Sequence, residues 1–74
     1  MDTYALILDE LRACARAGKR LPHPEASDLY QAAGGDGLTA VLLAVEYETA
    51  LRVVKLEMQE QRMRDWRTLR EVAA

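Results

Sequence analysis

From Leu38 to Ala74 the chain contains neither glycine nor proline. Those two residues cost a helix interior the most, so nothing in this half of the protein interrupts a helix. The stretch reads as one long helix over residues 38–72, and every other element has to fit against it. At 1.5 Å per residue such a helix is roughly 50 Å long. Its first half carries a wide apolar face, and its second half is polar and rich in arginine.

The preceding residues supply two shorter helices. Tyr4, Ile7, Leu8, Leu11, Cys14 and Ala15 recur at helical spacing and place a helix over 3–17. Asp2 or Thr3 is suited to cap its first turn. Gly18 is suited to end it in the left-handed conformation, with Lys19 and Arg20 beyond. Two prolines in Pro22-His23-Pro24 then force an extended connection. A short helix over 24–33 follows, with Pro24 at its first position and Ala26, Leu29, Tyr30 and Ala33 as its apolar side. Gly34-Gly35 stops it, and Asp36 or Thr39 caps the long helix.

The expected fold is therefore all-α, a helical hairpin or three-helix arrangement in one small domain spanning 1–74. Residues 59–74 are expected to protrude as a helical extension. The first helix, roughly 22 Å long, covers about half of the last one. A chain of 74 residues buries only about 60% of its unfolded surface and is marginal alone. Cys14 is the single cysteine and His23 the single histidine, so neither an internal disulfide nor the usual Cys/His zinc set is available. Oligomerisation is the remaining stabilising device, and a homodimer is its commonest form.

Two stripes run along the long helix. Ala40, Ala44, Tyr47, Leu51, Val54 and Met58 alternate spacings of four and three, a heptad-like seam for the core or for a second copy. Leu43 and Ala50 widen it. The next seam positions are Gln61 and Asp65, where it stops. Beyond Met58 a rotated stripe appears, with Leu56, Met63, Trp66 and Ala73 in register with Gln59 and Arg70. Tryptophan and arginine are the residues most enriched at interface hot spots. Leu56, Met63, Trp66, Arg67, Leu69 and Arg70 are accordingly expected to meet a partner protein. Val41, Leu42, Val45 and Val53 lie off the seam, so the helix is apolar nearly all round from Ala40 to Val45 and calls for cover on several sides.

Charge and hydropathy remove several classes. The net charge is −2, unlike the basic balance of a general nucleic-acid coat. The longest apolar run, Ala40 to Val45, is far short of the ~20 residues that span a bilayer. The acidic start Met1-Asp2 has no basic region followed by an apolar run, so no signal peptide is expected. A cytoplasmic protein without membrane contact follows.

The residues that could carry chemistry have simpler roles. Gly34-Gly35-Asp36-Gly37 opens a helix but lacks the lysine and strand of a phosphate loop, and Asp36 would repel an anion. His23 has no companion ligand or catalytic partner. Cys14, on the apolar face of the first helix, reads as a buried structural cysteine. Glu46 and Glu48 point to different sides and form no acid/base pair. Glu48 with Arg52 and Glu60 with Arg64 have the favourable i, i+4 order for ion pairs. No enzyme, metal or cofactor is expected. Arg64, Arg67 and Arg70 share one side and give the best case for phosphate contact. Glu60, Asp65 and Glu71 interrupt them. As a recognition helix, Leu38-Thr39-Ala40-Val41-Leu42-Leu43 offers core residues where base-reading side chains are needed. The first expectation is an interaction module (adaptor, assembly factor or small inhibitor) that self-associates through its long helix and binds another protein. A nucleic-acid-associated regulator presenting C-terminal arginines is the second.

Overall fold

Each helix is preceded by an aspartate or glutamate, and before α1 and α2 that residue is extended. Asp2 caps α1 (Thr3–Arg16), its Oδ1 accepting from the Tyr4 N–H at 3.1 Å. Asp36 caps α3 (Gly37–Ala73), its Oδ1 accepting from the Leu38 N–H at 3.2 Å and its Oδ2 from the Thr39 hydroxyl at 2.6 Å. Between them lies α2 (Ala26–Ala32), preceded by Glu25, whose side chain makes no cap. The computed structural model describes residues 2–73, apart from the side chain of Ala73. Among these, all regular structure is helical.

The helix ends follow glycine. Gly18 takes φ +70°, and the Lys19 N–H reaches back to the Cys14 carbonyl at 3.1 Å, closing α1. Gly34 and Gly35 take φ +69° and +82°, which turns α2 into α3 within four residues. A Cβ at either position would be strained by the backbone alone.

The short helix starts two residues later than its sequence suggests. Pro24 is not its first residue. Glu25 is still extended, and the carbonyl of Glu25 receives the first helical bonds, from Asp28 and Leu29. Pro22 to Glu25 instead forms a strap laid on α3, where His23 and Pro24 share a groove with Ala44, Val45 and Tyr47. Tyr30, expected on the apolar side of this helix, faces solvent.

α1 and α3 run in the same direction. Thr3 and Ile7 line one groove with Leu43 and Tyr47, while Ala15 and Arg16 line another with Met58 and Gln61. The strap carries the chain back along α3, and α2 then packs against the start of α3 without packing on α1. α3 is continuous over 37 residues and sets the 58 Å length of the molecule, which is only 19 by 18 Å across.

The core is small and sits where α1 crosses the middle of α3. Leu11, Ala50 and Val54 are buried at 1%, 0% and 1% exposure. Tyr4, Ile7, Leu8, Ala15, Leu21, Tyr47, Leu51 and Met58 close around them. Ala50 carries only a methyl group, which lets the two helices approach. Cys14, expected in this core, is half-buried and free and is not one of the residues that close around it. A polar clamp joins α1 to α3: Arg12 donates two hydrogen bonds to the carboxylate of Glu57.

Candidate interaction surface on α3

The inner side of α3 is taken up by the core. Of the seam residues, Val54 is buried, and Tyr47, Leu51 and Met58 are half-buried against the central cluster. Ala40 and Ala44 are half-buried outside that cluster, Ala44 beside the strap. Ala50, one of the residues that widen the seam, is its most buried member. The seam is therefore occupied by α1, with α2 and the strap alongside its beginning.

Past Met58 no described residue covers the helix. Every residue from Gln59 to Val72 is exposed, including Met63, Trp66, Leu69 and Val72. The reason is length: α1 ends at Arg16, beside Met58 and Gln61, and no other element extends further. Met63, Trp66, Arg67 and Arg70 together line a shallow groove on this segment. Leu56 lies on the same face, also exposed. Leu69 does not. It stands thirteen residues after Leu56, which at about 100° per residue turns it roughly 140° away. With Val72 it resumes the inner side beyond the polar positions Gln61 and Asp65. Ala73, the last residue of the rotated stripe, has its side chain outside the described residues.

The outer face extends further back than the distal groove. Leu38, Leu42, Val45, Thr49, Arg52, Leu56, Gln59, Met63, Trp66 and Arg70 alternate steps of four and three. They form one face along nearly the whole of α3, on the side opposite Val54 and Tyr47. Leu38, Leu42, Val45, Leu56, Met63 and Trp66 are all more than half exposed on it, and Val41 flanks it. The sequence signal for this face is the heptad spacing followed backward from Leu56. It is easily missed because Thr49 and Arg52 interrupt it, and because Leu38 to Val45 resembles core.

Charges on the surface are unevenly paired. Arg64 reaches Glu60 at 3.7 Å. Glu48 and Arg52, the other expected pair, make no ion pair among the described residues, and both side chains stay in solvent. Arg62, Arg67 and Arg70 likewise have no carboxylate within 4 Å there. The hydrogen bonds from Arg12 hold the Glu57 carboxyl below the usual carboxylate range, and Glu57 in turn raises the Arg12 guanidinium. The Thr39 hydroxyl, followed by the Leu38 N–H, lowers the Asp36 carboxyl.

A second depression lies between α1 and α2, with Leu43 and Tyr47 at its floor and Ile7, Glu10, His23 and Leu29 around it. The His23 ring meets the Tyr47 ring edge-on, with centroids 6.1 Å apart. The Tyr47 hydroxyl is sealed from solvent and has no hydrogen-bond partner among the described residues. Burial, and then the charge of Glu10, pushes this phenol above its ordinary value. No group of three or more His, Cys, Asp or Glu is arranged to hold a metal ion among the described residues. Nor is any helix there long and apolar enough to cross a membrane.

Comparison with protein-family models, with curated proteins and with solved structures finds no match for this chain.

Proposed function

We propose that this protein is a non-enzymatic interaction module. It self-associates through α3 and engages a partner protein on the distal segment of that helix. The carrying observation is that Gln59 to Val72 is helical, wholly exposed and set with large apolar side chains. Exposed apolar residues gathered on one face mark contact surfaces, whereas scattered ones do not. Met63 and Trp66 provide the anchors, and Arg67 and Arg70 provide a polar rim beside them.

Trp66→Ala tests this reading. It is expected to abolish capture of the partner identified by co-purification from native cells, while circular dichroism and the thermal midpoint stay unchanged. Loss of fold in that variant, or undiminished capture, would sink the assignment of Trp66.

A second reading rests on Arg62, Arg67 and Arg70, which have no carboxylate partner within 4 Å among the described residues. Presented on an exposed helix, they suit phosphate oxygens. Nucleic-acid affinity that falls steeply with rising salt would favour it over the protein-contact reading.

A further inference from the structure

We infer that the occupant of the outer face of α3 is the same face of a second copy of this chain, running antiparallel. This rests on the reading of α3 as a contact surface and names what fills it.

The face has two apolar clusters with a polar middle. Leu38, Leu42 and Val45 form the first, Thr49 and Arg52 the middle, and Leu56, Met63 and Trp66 the second. Two copies in opposite directions lay the first cluster of each on the second cluster of the other, and their polar middles meet. Parallel copies would also match apolar residues, so charge decides the direction.

Between Leu21 and Leu51 there are five carboxylates, Glu25, Asp28, Asp36, Glu46 and Glu48, and no lysine or arginine. The distal segment carries Arg62, Arg64, Arg67 and Arg70 against Glu60, Asp65 and Glu71, so it is weakly basic where the first stretch is strongly acidic. The molecule is thus an elongated charge dipole along α3. Antiparallel pairing sets the acidic half of each copy beside the basic half of the other. Parallel pairing sets Arg52 and Arg70 each against itself and crowds Arg62 against Arg67 at the flanks. The helix dipoles favour the same antiparallel choice.

A different protein that matched both the charge and the apolar clusters of the whole face would have to present a basic apolar stretch and then an acidic apolar one in the reverse order. A second copy does so automatically, and a twofold axis makes the contact closed. Leu69 and Val72 turn away from the pairing face, and a different protein anchored on Met63 and Trp66 competes with the second copy for them.

The test uses the full chain with Cys14→Ser, carrying either Leu42→Cys or Met63→Cys, both at exposed positions. The two variants are mixed and treated with a thiol-to-thiol reagent spanning about 10 Å, roughly two helical turns. Cross-linking is expected between Leu42→Cys and Met63→Cys chains, and not between two Leu42→Cys chains. Sedimentation of the unmodified protein at micromolar concentration is expected to give a dimer. Arg62→Glu with Arg67→Glu should weaken it at least about tenfold, and adding Glu46→Lys with Glu48→Lys should restore it. A monomer throughout, or dominant linkage between two Leu42→Cys chains, overturns the proposal. A monomer that still loses a protein partner on Trp66→Ala overturns this inference, and the self-association with it, while the partner-binding role proposed above stands.

Discussion

Arg12 and Glu57 are 45 residues apart in the chain and joined by two hydrogen bonds, Nη2 to Oε1 at 2.7 Å and Nε to Oε2 at 3.2 Å. This paired geometry fixes the axial position of α1 along α3, one turn beyond the buried contact of Leu11 with Val54. Both side chains are partly solvated, so the clamp contributes more to register than to total stability.

Its pH dependence has a definite sign. The folded Glu57 carboxyl titrates below its unfolded value because Arg12 binds the ionised form. Stability from the pair is therefore present above the ordinary glutamate pKa and lost as pH falls through the lower folded one. Urea midpoints of the wild type and of Glu57→Gln, measured over an acid series, are expected to converge at low pH. A gap that stays constant with pH would show that the clamp does not couple to protonation.

Leu11 is the largest side chain that α1 contributes to the buried cluster. Leu11→Ala is expected to cost about 2–5 kcal/mol, the usual range for a leucine cavity. A chain of this size has roughly 4–11 kcal/mol in total. The variant should thus be largely unfolded or sharply lowered in thermal midpoint. Leu51→Ala, at a half-buried position, should cost less, and an equal loss would mean that the core is centred elsewhere.

The Tyr47 hydroxyl has no partner among the described residues in its sealed position, and an unmet buried polar group costs about 1–3 kcal/mol. Tyr47→Phe keeps the ring against His23 and the core while removing that oxygen. It is expected to raise the midpoint of denaturant unfolding. A second effect appears at alkaline pH: the folded phenol titrates above its unfolded value, so wild-type stability falls as pH rises through the ordinary tyrosine pKa. Most of that decline should vanish in Tyr47→Phe.

The helices are legible in the sequence because local chemistry fixes their ends. Asp2, Gly18, Gly34, Gly35 and Asp36 each act at the position their residue type favours. The seam from Tyr47 to Met58 is legible too, since apolar periodicity reports one buried face. What packs where is less so. The parallel course of α1 and α3 depends on the strap from Pro22 to Glu25 lying back along α3, a tertiary choice with no local signature. Pro24 and Tyr30 depart from expectation for the same reason. Docking of the strap keeps Glu25 extended and delays α2, and the turn of α2 onto Leu29 and Ala33 leaves Tyr30 outside. The pairing of Arg12 with Glu57 is likewise invisible until α1 is placed. On the surface of α3, spacing alone groups Met63, Trp66, Arg67 and Arg70, but it also separates Leu69, whose apolar character had suggested the same patch.

The free end of α3 gives the sharpest separation between domain stability and association. The described residues beyond Met58 cover nothing in the core, so a chain ending at Arg62 keeps all of the packing around Leu11, Ala50 and Val54. At low protein concentration its thermal midpoint should equal that of the full chain. The full chain, pairing through Met63 and Trp66, should rise in midpoint as concentration increases, because association stabilises only the folded form. The shortened chain should show no such rise. Calorimetry of both chains over a wide concentration range reads this directly. A midpoint that falls on shortening even at high dilution would mean that the distal segment supports the fold, and a full-length midpoint independent of concentration would remove self-association from its role.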